Sequence, residues 1–254
     1  MKHIPNLFTL LNLLFGCIAI VFILQNGIII LVNAEGTELL DIPEKVWMAS
    51  LFIGLAAIVD FLDGFVARLF GASSEMGKQL DSLADLVSFG VAPALILYQF
   101  LRLSYANEPD GVEVSMLWLL PVFLLPCAAA YRLARFNLDK EQTFYFKGMP
   151  VPAAGILVAS LPLIYFYNQS QVVADLLTSK WLIYGLTLLL SWLMVSTLPL
   201  MAMKFKNFRL QDNFPRYLLL VLALVGFLLL KWMAVPVVIL AYVLLSLLFK
   251  NKVT

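Results

Sequence analysis

Four aspartates lie in one short polar stretch of an otherwise apolar sequence. Asp60 and Asp63 are three residues apart, and Asp81 and Asp85 are four residues apart. Each spacing puts both members on one face of a helix, with about 5–6 Å between their Cβ atoms. An ionisable residue inside a membrane segment costs about 2.5–3.5 kcal/mol on insertion scales, so such a cluster indicates function. We expect two neighbouring helices to bring the four carboxylates together, with Gly77 in the turn between them.

Converging carboxylates require cations, because they cannot all stay ionised side by side. Oxygen ligands of this kind favour Mg2+ or Mn2+, and four shared carboxylates predict two ions about 3.5–4 Å apart. Gly64 and Ala67 lie on or beside the face of the first two acids, where small residues let a ligand approach the backbone. The planar guanidinium of Arg68 suits a phosphate. The stretch therefore predicts a site for a metal-bound pyrophosphate.

Eight residues of this stretch also form a pattern with fixed spacing, D-x2-D-G-x2-A-R-x8-G-x3-D-x3-D. The specified positions are Asp60, Asp63, Gly64, Ala67, Arg68, Gly77, Asp81 and Asp85. The pattern resembles the signature of the CDP-alcohol phosphatidyltransferase family. The resemblance implies that the first three acids ligate metal, and that Asp85 combines metal contact with the role of general base. From their residue types, Gly64 and Arg68 are expected to contact the nucleotide-linked lipid, and Arg68 is expected to be catalytic together with Asp85.

Two further regions extend the resemblance to about residues 4–155. The N-terminal segment IPNLFTLLN places Asn6 and Thr9 at helical spacing; it reads either as a capped helix start or, by resemblance, as a nucleotide contact. Ser74 corresponds by position to another contact with the nucleotide-linked lipid. The segments RLARFN, with Arg132 and Arg135, and FKGMPVPAA resemble the branch of the family that uses serine as its acceptor.

This branch implies transfer of a phosphatidyl group from CDP-diacylglycerol to L-serine, giving phosphatidylserine and CMP, in a membrane homodimer. An amino-acid acceptor needs a cation for its carboxylate, and arginine is the favoured partner. We therefore expect Arg132 or Arg135 to hold the serine carboxylate, with Asn137 and Lys147 as weaker candidates; membrane anchoring is the alternative role of the two arginines. Two other functions stay open: another acceptor, such as glycerol 3-phosphate or an inositol phosphate, and a cation transporter that uses the acids as an ion path.

The composition identifies a membrane protein and limits its chemistry. Of 254 residues, 62% are hydrophobic and 13% are charged, with a mean hydropathy of +0.93, which no soluble domain of this size needs. A net charge of +1 gives no case for nucleic-acid binding. The only histidine, His3, leaves no Ser-His hydrolase or His-ligated zinc site. Cys17 and Cys127 lie in apolar runs and read as ordinary thiols.

The apolar runs predict an all-α, polytopic helix bundle with about eight transmembrane helices in one membrane domain, 1–254. Runs of about 17–25 residues match the thickness of a bilayer. The eight are Leu7–Val32, Trp47–Leu69, Leu83–Tyr105, Met116–Phe136, Val151–Tyr167, Trp181–Met203, Tyr217–Leu230 and Met233–Phe249. The catalytic core is expected at about 4–155 plus 156–203, with two extra spans within 215–249. The last two runs are either separate spans or one kinked or re-entrant unit.

The distribution of basic residues predicts the orientation. With the N-terminus inside, eight spans put 13 of the 17 lysines and arginines on the cytoplasmic side, as the positive-inside rule requires. We therefore expect a multi-pass protein of a bacterial-type inner membrane, with the aspartates facing the cytoplasm.

Overall fold

The computed structural model of the protein is built almost entirely of helices. It describes residues 4–25, 29–32, 38–41, 45–70, 74–108, 114–139, 145–202 and 209–249. The helices are α1 (Ile4–Leu24), α2 (Val46–Phe70), α3 (Glu75–Asp85), α4 (Ala92–Ala106), α5 (Leu124–Leu138), α6 (Val151–Tyr167), α7 (Gln171–Leu177), α8 (Lys180–Val195), α9 (Leu210–Leu230) and α10 (Ala234–Leu248). The strands are β1 (Ile29–Val32), β2 (Glu38–Asp41), β3 (Tyr145–Lys147) and β4 (Pro199–Met201). The prediction of an all-α architecture is confirmed apart from these four short strands.

Helices α1 and α2 pack along each other over much of their length. Their contact buries small side chains, including Ala19 on α1 and Ala49 and Ala56 on α2. Phe22 and Phe52 stack between the helices with ring centroids 5.5 Å apart. Small residues allow this close approach in a membrane, where association depends on van der Waals packing. The packing brings the N-terminal turns of α1 beside the end of α2 that carries two of the acids.

Helices α3 and α4 form one continuous helical segment with a wider π-helical turn at Leu86–Val91 between them. Ser74 is the N-cap of α3, because its Oγ accepts a hydrogen bond from Gly77 N over 3.0 Å. Gly77 therefore lies in the first turn of α3, and the prediction that it occupies the turn between the acidic helices is wrong. The absence of a side chain at Gly77 leaves room for Asn6, because a Cβ would lie 3.0 Å from Asn6 Oδ1.

Each of the eight predicted spans overlaps a helix, but fewer segments are long and apolar enough to cross a membrane by themselves. In the described chain these are Pro5–Leu24, Val46–Val66, Glu75–Ala106, Met116–Leu138 and Asn213–Leu248. The chain bends by 59° between helices α7 and α8, which give a sixth candidate if they count as one broken span. Helix α6 is a shorter apolar helix. The protein is thus an integral, multi-pass membrane protein with five to six candidate spans.

Two of the predicted spans are too long at their C-terminal ends. The first was expected to reach Val32, but α1 ends at Leu24 and Ile29–Val32 pairs with Glu38–Asp41 as an antiparallel ladder. The sixth was expected to reach Met203, but α8 ends at Val195 and Pro199–Met201 pairs with Tyr145–Lys147. β-Branched and aliphatic residues suit either a strand or a buried helix, so hydropathy alone does not mark these ends.

Helices α9 and α10 form a hairpin. The chain breaks at Lys231, which has a φ of 51°, within the short 3-10 segment Lys231–Met233. A Cβ on Gly226 would lie 3.4 Å from Ala234 Cβ and 3.8 Å from Val238 Cγ2. In a straight helix, residues 226 and 238 would be about 18 Å apart. The two helices therefore fold back on each other, which agrees with two separate helices in this region.

Candidate active site

Three of the aspartates meet where α2 faces α3. Asp60 and Asp63 come from α2 and Asp81 from α3, and one carboxylate oxygen of each lies within 4.8 Å of the other two. Asp63 is buried, while Asp60 and Asp81 are half-buried. The three- and four-residue spacings thus produce convergence because the two acidic faces oppose each other across the helix pair.

Asp85 lies one helical turn beyond Asp81 and is buried, with 6% of its surface exposed. Its Oδ1 accepts a hydrogen bond from Asn12 Nδ2 on α1 over 3.2 Å. The carboxylate is also within electrostatic range of Asp60 and Asp81. The structure therefore brings all four aspartates together and adds Asn12 as a partner of the deepest one.

The donor set fits a divalent cation. Three carboxylates at this separation repel one another unless a cation lies between them, and hard oxygen ligands are those that Mg2+ and Mn2+ prefer. A further oxygen acceptor is close, because Asn12 Oδ1 is buried and has no hydrogen-bond partner in the described part of the chain. Asp60, Asp63 and Asp81 could therefore hold a metal ion.

A cavity of about 450 Å³ opens beside the acids. Its lining comes from the start of α1, the end of α2 and the start of α3, and comprises Pro5, Asn6, Thr9, Asp63, Gly64, Ser74, Glu75, Gly77, Lys78 and Asp81. Thr9 Oγ1 donates to Asp63 Oδ2 over 2.9 Å. The residues predicted to contact the nucleotide-linked lipid thus surround one cavity, apart from Arg68. Arg68 belongs to α2, and its side chain is outside the described part.

The two candidate arginines of α5 have different surroundings. The guanidinium of Arg135 reaches from α5 to the C-terminal end of α8. It donates to the carbonyl oxygens of Val195 (2.7 Å), Ser196 (2.8 Å), Lys147 (2.9 Å) and Met194 (3.3 Å). Such contacts satisfy carbonyls that a helix end leaves without partners. Arg135 therefore has a structural task that the sequence did not indicate.

Arg132 has aromatic rather than polar neighbours. It is only 5% exposed, and its guanidinium carbon lies 5.0 Å from the ring centroid of Phe136 and 5.7 Å from that of Phe146. Its Nε is buried without a hydrogen-bond partner among the described residues. The charge is within electrostatic range of Asp85 and Tyr242. A buried guanidinium with an unused donor is suited to an anionic ligand.

The two weaker candidates both have protein partners. Asn137 Nδ2 donates to Ser82 Oγ over 2.8 Å, and Lys147 Nζ forms an ion pair with Asp139 Oδ2 at 2.6 Å. Lys78 Nζ donates to Asn137 O over 2.8 Å. The two contacts of Asn137 join α3 to the end of α5, so they connect the acidic helix to the region of the two arginines.

Sequence reasoning missed Asn12 and Lys78 as parts of the site. Asn12 is the last residue of the segment IPNLFTLLN, in which only Asn6 and Thr9 are predicted to contact a ligand. Its link to Asp85 spans 73 positions. The one available signal was an amide in the middle of an apolar run, which is costly in a membrane unless it has a partner.

This chain belongs to the CDP-alcohol phosphatidyltransferase family, whose sequence pattern it matches over residues 2–203. Among its relatives are three proteins named CDP-diacylglycerol–serine O-phosphatidyltransferase. The one from Mycobacterium tuberculosis is 33% identical over 252 residues, covering 95% of this chain and 76% of that protein. The one from Bacillus subtilis is 33% identical over 171 residues, covering 65% of this chain and 78% of that protein. The one from Mycobacterium leprae is 40% identical over 162 residues, or 61% and 49%.

The coverage differs among these relatives. The match spans about half the length of the Mycobacterium leprae protein but about three quarters of the Mycobacterium tuberculosis one. Membership of a family of transferases argues against the cation-transporter alternative.

Proposed function

We propose that this protein transfers the phosphatidyl group of CDP-diacylglycerol to the hydroxyl of L-serine, giving phosphatidylserine and CMP. The observation that carries the proposal is the meeting of Asp60, Asp63 and Asp81 within 4.8 Å, beside buried Asp85, in a chain of the CDP-alcohol phosphatidyltransferase family. Relatives that match 95% of this chain carry the name of the serine-dependent activity.

The donor occupies the cavity between α1, α2 and α3. Its proposed contacts are Asn6, Thr9, Gly64, Arg68 and Ser74. Thr9 and Asn6 offer polar groups from α1, and Gly64 leaves room for a phosphate to approach α2. Exposed Phe61 and Phe65, on the same turns of α2, give the neighbouring surface an apolar character that suits a lipid substrate.

The acids would hold two Mg2+ or Mn2+ ions, with Asp60, Asp63, Asp81 and Asp85 as the ligands. The chemistry supplied by the bound ions is neutralisation of the charge that develops on the pyrophosphate as CMP leaves. The role of Thr9 is to orient Asp63 by its hydrogen bond to Oδ2, in the way that outer contacts fix metal-ligating carboxylates.

Asp85 is the general base. It accepts the proton of the serine hydroxyl as that oxygen attacks the β-phosphorus. The hydrogen bond from Asn12 to Oδ1 orients the carboxylate. Burial of Asp85 keeps bulk water from competing with the acceptor hydroxyl.

Arg132 is the better candidate for the serine carboxylate. It is buried, and its Nε has no hydrogen-bond partner among the described residues, so a donor is available for a carboxylate. Arg135 is already engaged with four carbonyl oxygens, and its contribution to serine binding would require it to give up some of them. Asn137 and Lys147 then contribute indirectly, through their contacts with other residues of the protein.

The membrane arrangement follows from the charge distribution. The proposed arrangement takes α6, α8, α9 and α10 as one crossing each, in addition to the four spans Pro5–Leu24, Val46–Val66, Glu75–Ala106 and Met116–Leu138. These eight spans, with the N-terminus inside, put 13 of 17 basic residues in the cytoplasm. The acids then face the cytoplasm, where a water-soluble acceptor is available, and the donor enters from the inner leaflet of a bacterial-type membrane. A homodimer is the proposed assembly.

The test is release of CMP by the purified protein from CDP-diacylglycerol with Mg2+ or Mn2+. Serine, glycerol 3-phosphate and inositol phosphate are offered in separate reactions, and the lipid product is identified by mass spectrometry. We expect CMP and phosphatidylserine only in the reaction that contains serine. Release with a phosphorylated acceptor only would reassign the acceptor, and no release with any acceptor would overturn the proposal.

A further inference from the structure

The α9–α10 hairpin lies beyond the residues matched by the family, yet its side chains bind the backbone of β4. The Tyr242 hydroxyl donates to Met201 O over 3.0 Å, and Met201 N donates to Ser246 Oγ over 3.1 Å. Arg216 Nε donates to Ala202 O over 3.1 Å. All three side chains are buried. Three buried hydrogen bonds to two consecutive residues fix this short strand firmly.

Strand β4 transmits that constraint to the acceptor side of the site. It pairs with β3 in the register Tyr145 with Met201, Phe146 with Leu200 and Lys147 with Pro199. Phe146 is one of the two aromatic residues against the Arg132 guanidinium, and Lys147 O is one of the acceptors of Arg135. An isolated two-stranded ladder is marginally stable, so its position depends on what holds its outer edge.

We propose that the α9–α10 hairpin is a positioning element for the acceptor: Tyr242 and Ser246 clamp β4, and the β3–β4 ladder then sets Phe146 against Arg132. This inference rests on the proposed function for its kinetic consequence. Tyr242 acts through β4, because its hydroxyl donates to the carbonyl oxygen of Met201. The hairpin thus supports recognition of the acceptor, beyond anchoring the chain in lipid.

The experiment uses the full-length protein in lipid nanodiscs with Tyr242→Phe and Ser246→Ala, separately and together. A typical hydrogen bond contributes about 0.5–1.5 kcal/mol, so we expect each change to raise the acceptor KM about twofold to tenfold, with kcat and the KM for CDP-diacylglycerol nearly constant. Hydrogen–deuterium exchange should become faster in peptides that contain β3 and β4. The acceptor is whichever compound supports CMP release.

Tyr184→Phe is the matched control. The Tyr184 hydroxyl also bonds to a backbone carbonyl, that of Trp118 at 2.5 Å, but on α8 away from β4. It should leave the acceptor KM and the exchange of β3 and β4 unchanged.

Two results contradict the inference: exchange of β3 and β4 that stays at the wild-type rate in the double variant, or faster exchange with an unchanged acceptor KM. A wild-type protein that releases no CMP at all contradicts the proposed function instead. In that case, hydrogen–deuterium exchange of β3 and β4 in the variants still tests whether Tyr242 and Ser246 hold β4.

Discussion

Asn12 on α1 donates a 3.2 Å hydrogen bond to Oδ1 of Asp85 on α3. Both residues are buried, at 0% and 6% exposure, so this bond is shielded from water. Because Thr9, one turn earlier on α1, donates to Asp63 on α2, a single helix orients one carboxylate from each acidic helix.

Asn12→Ala should reduce turnover through the orientation of Asp85. A hydrogen bond to a charged group contributes about 1.5–3 kcal/mol, so we expect kcat to fall about tenfold or more while the KM for CDP-diacylglycerol changes little. CMP release under saturating substrates measures this. Asn168→Ala is the control, since Asn168 bonds to Met233 Sδ at the far end of α6 and should retain wild-type turnover. An equal loss in both variants would show a general effect on folding.

Asp85→Asn should abolish turnover and preserve donor binding. The amide cannot accept the serine proton, and a positioned general base contributes about 100-fold to 10,000-fold. The measurements are CMP release and binding of a fluorescent CDP-diacylglycerol analogue. Asp175→Asn is the matched control. Asp175 is on the exposed surface of α7, where its side chain accepts a hydrogen bond from Gln171. Turnover by Asp85→Asn near the wild-type level would refute the assignment.

Metal removal should reversibly abolish activity. Chelation with EDTA is expected to stop CMP release, and Mg2+ or Mn2+ should restore it. Asp63→Asn should raise the metal concentration needed for half-maximal activity about tenfold or more, because a neutral amide is a weaker ligand for a hard cation and outer contacts alone change metal affinity about 10–100-fold. Binding of Mn2+ followed by electron paramagnetic resonance gives a readout without turnover. Full activity in EDTA, or Mn2+ affinity unchanged by Asp63→Asn, contradicts this prediction.

Arg132→Lys and Arg135→Lys should have different consequences. For Arg132→Lys we expect the serine KM to rise about tenfold or more, because lysine cannot make a bidentate contact with a carboxylate. For Arg135→Lys we expect a lower Tm, since one ammonium cannot reach four carbonyl oxygens; a loss of about 1 kcal/mol corresponds to about 2–4 °C. Serine titrations and thermal unfolding separate the two effects. If Arg135→Lys alone raises the serine KM, the assignment of the carboxylate to Arg132 is wrong.

The sequence predicted the acids of the site well because their spacing is local. Three- and four-residue intervals fix which aspartates share a helix face, and the small residues between them predict an open approach. The contacts from Thr9 and Asn12 were beyond such reasoning, since they join residues 54 and 73 positions apart. The different tasks of Arg132 and Arg135 were equally hidden, because both lie on one short helix and differ only in what packs against them.

The limits of the spans were harder to predict than their existence. Each apolar run overlaps a helix, but α7 lies outside all of them. In addition, Ile29–Val32 and Pro199–Met201 are strands whose composition resembles that of the helices before them. Their partners, Glu38–Asp41 and Tyr145–Lys147, decide the difference, and such pairing is not encoded in a hydropathy window. The back-folding of α9 on α10, which brings Gly226 beside Ala234 and Val238, is likewise not encoded in a hydropathy window.

The order in which the chain is synthesised has a bearing on α1. Thr9 and Asn12 are made before the two acidic helices that supply their partners, so during insertion their polar groups face lipid or the insertion machinery without those acceptors. Unsatisfied polar groups are costly in a bilayer, so α1 gains these hydrogen bonds only when α2 and α3 have been inserted beside it. The first helix to be synthesised thus reaches its final environment only after the chain has been made as far as residue 85.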